Sequence, residues 1–354
     1  MADEAATLPL AVSMGEPAGI GTEVLLKSYA QLSQAGSSAP VFFLIDDPAR
    51  VARIVREIRA PFRVTTIEDP AGARDAFSQG LPVLPLRGID PASLAHVTPG
   101  QPSAATAAAV TGSIRQAVEL ALEGSAGGVV TLPIQKSVLS EAGFPHPGHT
   151  EFLGELTAEA DLPAGMPRGP VMMLAAGDFR TVPATVHRAL KDVPASLKAD
   201  ELVRIGTIVA RSLSYDFGIQ APRLAIAGLN PHAGEGGLMG MEEQETIAPA
   251  IQALRSQNID ATGPWPADTM FHAEARAQYH AAIAMYHDQA LIPIKTVAFH
   301  DAVNVTLGLP IVRTSPDHGT ALQIAGKGVA RADSTSAAIL MAARMAYSRA
   351  LHAG

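Results

Sequence analysis

Apolar positions fall into two alternating kinds of segment. Short runs with few polar breaks are LAVSM (10–14), VFFLI (41–45), GGVVTLPI (127–134), VMML (171–174), RLAIAG (223–228) and AAIAMY (281–286), with a further strand ending at Val186. Their length suits strands buried on both faces. Between them lie longer stretches in which apolar residues recur every three or four positions. These predict helices over about 22–34, from near Asp47, over 103–123, 200–214, 242–256 and 334–352. Asp47 and Ser103 stand where N-caps belong, and Thr150, just ahead of EFLGELT, reads as another. The Pro- and Gly-rich region 61–102 resists assignment. Alternation of this kind predicts an α/β fold with a mostly parallel sheet.

Composition narrows the function classes. The chain has 354 residues, 47% apolar and 17% charged, which suits about two domains with sizeable cores. A net charge of −8 argues against nucleic acid as a partner. Cysteine is absent. That excludes disulfides, thiolate nucleophiles, iron–sulfur clusters and Cys-based zinc sites, so any metal must be held by His, Asp or Glu. No apolar run approaches the roughly 18 residues that span a membrane. The acidic start MADEAATLPL lacks the basic region of a signal peptide. The expectation is a cytoplasmic protein with no membrane partner.

Three histidines share one context. His187 ends PATVH, His232 follows RLAIAG within NPHAGEGG, and His287 follows AAIAMY. Ligands of open α/β sheets bind beyond the carboxyl ends of strands. Three imidazoles delivered there suit one Zn²⁺, Co²⁺, Ni²⁺ or Fe²⁺ with a coordination position left for substrate. The alternative is three separate hydrogen-bonding residues. The loop GEPAGIG (15–21) is either an anion cradle or a tight turn starting a helix. His149 and Thr150 offer an anion site at a helix N-terminus, although a plain cap by Thr150 is the simpler reading. Lys295, Asn304 and Arg313 lie in a polar-rich stretch on an apolar background, suited to phosphate or carboxylate, or to ordinary surface charge.

MGEPAGIG, GHTEFL, NPHAGEGG, ADTMF (267–271), YHDQ (286–289), VNVTLGLP (303–310) and RTSPDHGTA (313–321) occur in one order between Ser13 and Ser334. Together they resemble the 4-hydroxythreonine-4-phosphate dehydrogenases. DHGTALQIAGKG (317–328) also resembles the nucleotide loop of isocitrate and isopropylmalate dehydrogenases. The resemblance implies a two-lobed α/β/α subunit of that type. One lobe is expected from 1–138 with 316–354 and the other from 139–315. It implies a homodimer with its active site at the interface. It places metal ligands, drawn from both subunits, on His187, His232 and His287, for zinc, cobalt or magnesium. Substrate binding falls on His149, Thr150, Asp268, Lys295, Asn304 and Arg313, and the NAD or NADP loop on His318 and Gly319. Asp288 and Lys295 stand as catalytic candidates, Asp288 either orienting a metal histidine or relaying a proton.

The implied reaction is oxidation of 4-phosphooxy-L-threonine at C3, followed by decarboxylation to 3-amino-2-oxopropyl phosphate for pyridoxal 5′-phosphate synthesis. Two departures lie near the expected cleft: MGEP where MGDP is more usual, and Ala290 with LIPIK where many members have Gly-Leu-Pro. Similar proteins oxidise four-carbon sugar acid phosphates or dihydrodiol carboxylates, the alternative substrates. Acyl-phosphate transferases of the same fold and a non-catalytic metabolite-binding protein are the readings outside dehydrogenase chemistry.

Overall fold

The computed structural model describes residues 8–146, 148–163 and 165–353. The chain divides into a terminal unit, residues 1–160 with 310–354, and a central unit, 161–309. The chain opens with β1 (Leu10–Ser13), α1 (Gly21–Leu32), β2 (Phe42–Asp46), α2 (Pro48–Glu57), β3 (Val64–Thr66), β4 (Leu81–Pro85), α3 (Ala107–Leu122), β5 (Val129–Thr131) and α4 (His149–Leu156). Strands β1 and β2 are buried throughout, which is why their sequences run apolar without alternation. Asp47 caps α2 by accepting from the Ala49 and Arg50 amides. Ser103 accepts from the Ala105 amide and opens a short turn that leads into α3. Gly148, rather than Thr150, is the N-cap of α4, and it carries no side-chain cap. The space over Gly148 is taken by Lys136: a Cβ there would lie 3.3 Å from the ammonium.

The central unit follows with β6 (Val171–Ala176), β7 (Phe179–Pro183), α5 (Ala199–Tyr215), β8 (Arg223–Ala227), α6 (Ala248–Ser256), β9 (Asp260–Trp265), β10 (Ala281–Ala284), α7 (His287–Ala298) and β11 (Val303–Leu307). Its strand order is β11-β6-β7-β10-β8-β9. Strand β6 runs antiparallel to both neighbours, whereas β7, β10, β8 and β9 run parallel. The helix expected over 242–256 is a single π turn, Glu243–Ile247, that continues as α6.

Strand β12 (Arg313–Pro316) and helix α8 (Asp333–Ala353) return to the terminal unit and complete an all-parallel order β3-β4-β2-β1-β5-β12. The terminal unit therefore extends to 160 and resumes at 310, rather than breaking at 138 and 316. Two contacts account for this. Arg115 of α3 lies 5.7 Å from the ring centre of Phe152 in α4, and β12 pairs in register with β5.

The GEPAGIG loop is a tight turn. The Glu16 amide donates to Pro133 O, that of Gly19 to Glu16 O, and that of Ile20 to Thr320 O. The Ala18 amide donates to the Glu16 carboxylate at 3.0 Å. Arg50, 2% exposed, holds the Pro17 carbonyl at 2.7 Å and pairs with buried Asp46. With its amides already committed, the loop has few left to cradle an anion.

Candidate functional site

Strands β7 and β10 are parallel neighbours, and their pairing continues past the strand ends. The Ala184 amide donates to Ala284 O at 2.7 Å, and the Thr185 hydroxyl donates to Met285 O at 2.8 Å. Continued register brings His187 and His287 to one edge, with ring centres 6.1 Å apart and planes inclined by 37°. His287 opens α7, and its Nδ1 lies 2.7 Å from the Asp288 carboxylate. A carboxylate on one ring nitrogen fixes the tautomer and turns the other, Nε2, toward a metal. The two rings, Asp288, Tyr286, Val186 and Leu190 border a cavity of about 330 Å³.

His232 leaves the other neighbour of β10. After β8 the chain enters a left-handed run. His232, Ala233, Gly234, Glu235 and Gly236 have φ of 54°, 49°, 80°, 42° and 66°. Three of these are not glycine, and each such residue costs roughly 1–2 kcal/mol in this region. Buried Glu243, 3% exposed, braces the foot of the loop. One of its oxygens accepts from the Leu229 and Asn230 amides, both at 2.8 Å, and the other accepts from Asn230 Nδ2 at 3.0 Å. Glu242 accepts from the same side-chain amide at 2.8 Å. Gly234 fits because a Cβ there would meet Glu243 Oε2 at 2.7 Å. Beyond it, Leu238, Met239 and Met241 are exposed. Among the described residues no three His, Asp or Glu side chains come close enough to hold a metal ion. Within one chain, the His187–His287 pair forms and His232 does not join it.

In the terminal unit the sequence-predicted anion residues occupy a positive corner. Arg313 starts β12, is 2% exposed, and donates to Thr131 Oγ1 at 2.6 Å. Burial lowers its pKa to about 10, so the guanidinium stays charged at neutral pH. His149 is the first residue of α4, with Thr150 beside it in the opening turn. Burial, then the charges of Arg313 and Lys136, hold the imidazole well below its ordinary pKa and keep it neutral. Two cations beside a helix N-terminus suit phosphate or carboxylate.

The remaining predicted residues are scattered over elements the sequence showed poorly. Asn304 lies on β11, and Lys295 lies in α7 with its ammonium 5.9 Å from the Phe299 ring centre. Asp268 sits exposed in the turn Ala267–Thr269. His318 contacts the Gly319 carbonyl through Nδ1 at 3.0 Å, and burial lowers its pKa. His149 Nε2, Asn304 Oδ1 and His318 Nε2 are buried with no hydrogen-bond partner among the described residues. Ordered water, an ion or a ligand is what commonly satisfies such atoms.

Comparison with known proteins converges on one family. The family model of the pyridoxal phosphate biosynthetic protein PdxA matches residues 38–342. The chain belongs to this family. It is 49% identical over 341 residues to the 4-hydroxythreonine-4-phosphate dehydrogenase of Caulobacter vibrioides, covering 96% of this chain and 98% of that one. The Bradyrhizobium diazoefficiens protein of the same name is 49% identical over 357 residues, covering 99% and 100%. A crystal structure of the Klebsiella pneumoniae 4-hydroxythreonine-4-phosphate dehydrogenase aligns with a TM-score of 0.83 at 35% identity, covering 96% and 98%.

Lys136 and Glu243 of this PdxA-family chain escaped the sequence reading, and Glu16 entered it only as a departure from the family pattern. Lys136 was one exposed lysine after an apolar run, with no local signal. Glu243 was one of three glutamates in MEEQE, and only the π turn at 243 singles it out. Glu16 marks the MGEP departure. It is 1% exposed, burial pushes its carboxyl pKa up, and it borders a cavity of about 320 Å³ with His96, Thr98, Gln101 and Ser103. The donor set of the central unit fits a divalent cation in chemistry, since neutral imidazole with a carboxylate behind it is a common ligand for zinc or cobalt.

Proposed function

We propose that the chain oxidises 4-phosphooxy-L-threonine at its C3 hydroxyl with NAD or NADP, and that the β-keto acid product loses CO₂ to give 3-amino-2-oxopropyl phosphate for pyridoxal 5′-phosphate synthesis. The observation that carries this reading is the His187–His287 pair at the ends of adjacent parallel strands, in a chain 49% identical over nearly its full length to dehydrogenases of that name.

His187 and His287, with His232 of a second copy, would hold one divalent ion, zinc, cobalt or magnesium, which supplies Lewis-acid polarisation of the reacting oxygen. The exposed Leu238, Met239 and Met241 beyond His232 support a homodimer, since burying them against a second copy removes apolar surface from water. Asp288 holds the His287 ring through Nδ1. Lys295 and Asp288 are the groups assigned to proton transfer, and oxidation releases the hydroxyl proton while the hydride leaves C3 for the nicotinamide. Arg313, with neutral His149 and Thr150, binds the anionic end of the substrate; Asn304 and Asp268 bind its polar groups. The segment around His318 and Gly319 binds the dinucleotide. No helix among the described residues is long and apolar enough to cross a membrane, and a cytoplasmic location suits a pathway of small phosphorylated metabolites.

The test is nicotinamide reduction, followed by absorbance, with 4-phosphooxy-L-threonine, a four-carbon sugar acid 4-phosphate and a dihydrodiol carboxylate in parallel. Each is assayed with NAD or NADP, before and after chelation. The expected result is turnover of the threonine phosphate that chelation abolishes. Faster turnover of another substrate moves the chain to a paralogous dehydrogenase. Acyl-phosphate transfer without nicotinamide reduction overturns the dehydrogenase reading.

A further inference from the structure

The left-handed run at His232 is the least conventional backbone in the central unit; within it the Ala233 amide donates to Asn230 O and the Met239 amide to Gly234 O, both at 3.1 Å. His232, Ala233 and Glu235 are not glycine, so these turn bonds are made at a conformational cost. A carboxylate from outside the run braces its entrance. Glu243 takes both main-chain amides at the loop entrance, Leu229 and Asn230, on one oxygen. Its second oxygen holds the Asn230 side chain and fills the space over Gly234. The π turn starting at Glu243 lets adjacent residues Glu242 and Glu243 reach the same amide nitrogen. Such turns are frequent at functional sites. The loop bends around the carboxylate, with His232 two residues past Asn230.

We propose that Glu243 is a positioning residue that fixes the backbone of the 228–237 loop so that His232 is presented, already oriented, to the metal site of a second copy. The inference rests on the ligand reading of His232 given above. Glu243 makes no claim on substrate or metal itself. Its carboxylate replaces the main-chain partners that a regular helix or strand would supply. Removing one acceptor would free the loop to relax out of the left-handed region and let the imidazole swing away.

The test uses the full-length chain in its native oligomeric state, stripped of metal and titrated with Co²⁺, whose visible absorption reports binding without turnover. Glu243→Gln keeps the side-chain volume but loses the charge and one acceptor. His232→Ala is measured in parallel. The expected result is Co²⁺ affinity about 10- to 100-fold weaker for Glu243→Gln, the range for residues that orient metal ligands. Its metal-free melting midpoint should fall modestly, so affinities are compared well below it, and kcat should fall more than KM rises. Weakened Co²⁺ binding by His232→Ala with unchanged affinity in Glu243→Gln overturns the positioning role and leaves the ligand reading intact. Unchanged affinity in His232→Ala removes the ligand reading, and the positioning role with it. Should Glu243→Gln fail to fold, Glu243→Asp keeps the charge but shortens the side chain by one methylene and draws the carboxylate away from the Leu229 and Asn230 amides. Weaker Co²⁺ binding then supports the proposal, and unchanged binding overturns it.

Discussion

Gln289 Nε2 donates a 2.9 Å hydrogen bond to the carbonyl of Gly228, while its Oε1 accepts from the Met285 amide at 2.7 Å. One side chain thus joins the end of β10, which delivers His287, to the end of β8, which delivers His232. Both backbone partners are buried. Gln289→Leu would leave two buried main-chain groups without their bonds, at roughly 1–3 kcal/mol for each such group. The expected outcome is a lower urea midpoint together with lower turnover. A variant with an unchanged midpoint would show that these groups find other partners.

His149 gives the chain an acid-sensitive term. Burial and the neighbouring Arg313 and Lys136 charges keep the imidazole neutral well below its ordinary pKa of 6.5. The unfolded chain therefore binds the proton first as pH falls. The stability associated with neutral His149 is complete above 6.5 and is lost progressively below it. His280 and His318 are shifted in the same direction, so the informative quantity is a difference. Urea midpoints from about pH 7.5 to about pH 5.5 should fall less steeply in His149→Gln than in the unaltered chain. Equal slopes would mean that His149 protonates in the fold as easily as in the open chain.

The sequence showed this corner of the fold unevenly, and the reasons are physical. The cap at Asp47 was legible because its side chain serves the amides next to it in the chain. The placement of His187 and His287 was legible because parallel strands deliver residues to one edge whatever their separation along the chain. Strand β4 was not, because Pro82 and Pro85 argue against a strand paired on both sides, yet β4 lies between β2 and β3. Strand β9 carries Gly263 and Pro264, with the same effect. The start of α7 was hidden because the apolar run of β10 continues to Tyr286, and Pro293 interrupts the helical pattern. Thr150 looked like a cap by type, but Gly148 takes the position two residues earlier. Lys136 and Glu243 act through tertiary neighbours, on which local patterning is silent.

Lys136 lies against Gly148 at the start of α4 and adds a second positive charge beside His149. Its position predicts a role in holding the anionic end of the substrate, not in the redox step. Lys136→Ala should raise KM for the phosphorylated substrate on the order of tenfold and change kcat little. Initial-rate kinetics at saturating nicotinamide cofactor give both constants. A fall confined to kcat would instead place Lys136 near the reacting carbon. Loss of the charge should also ease protonation of His149, visible as a higher imidazole pKa by NMR titration.

Gly234 tests how tightly the His232 loop is built. Its φ is +80°, and an added methyl would stand 2.7 Å from Glu243 Oε2 and 3.1 Å from the Gly240 carbonyl. Gly234→Ala therefore adds backbone strain to a steric conflict with the carboxylate that braces the loop. Strain of this kind costs on the order of 1–3 kcal/mol. The expected outcome is a lower melting temperature, with the larger relative loss in metal affinity, because the conflict lies beside His232. Gly236 is the control. Its φ is +66°, but nothing lies within 4 Å of its added methyl. Gly236→Ala should carry the strain without the collision. If both variants lose metal affinity equally, backbone strain alone governs the loop; a greater loss at Gly234 assigns the difference to contact with Glu243.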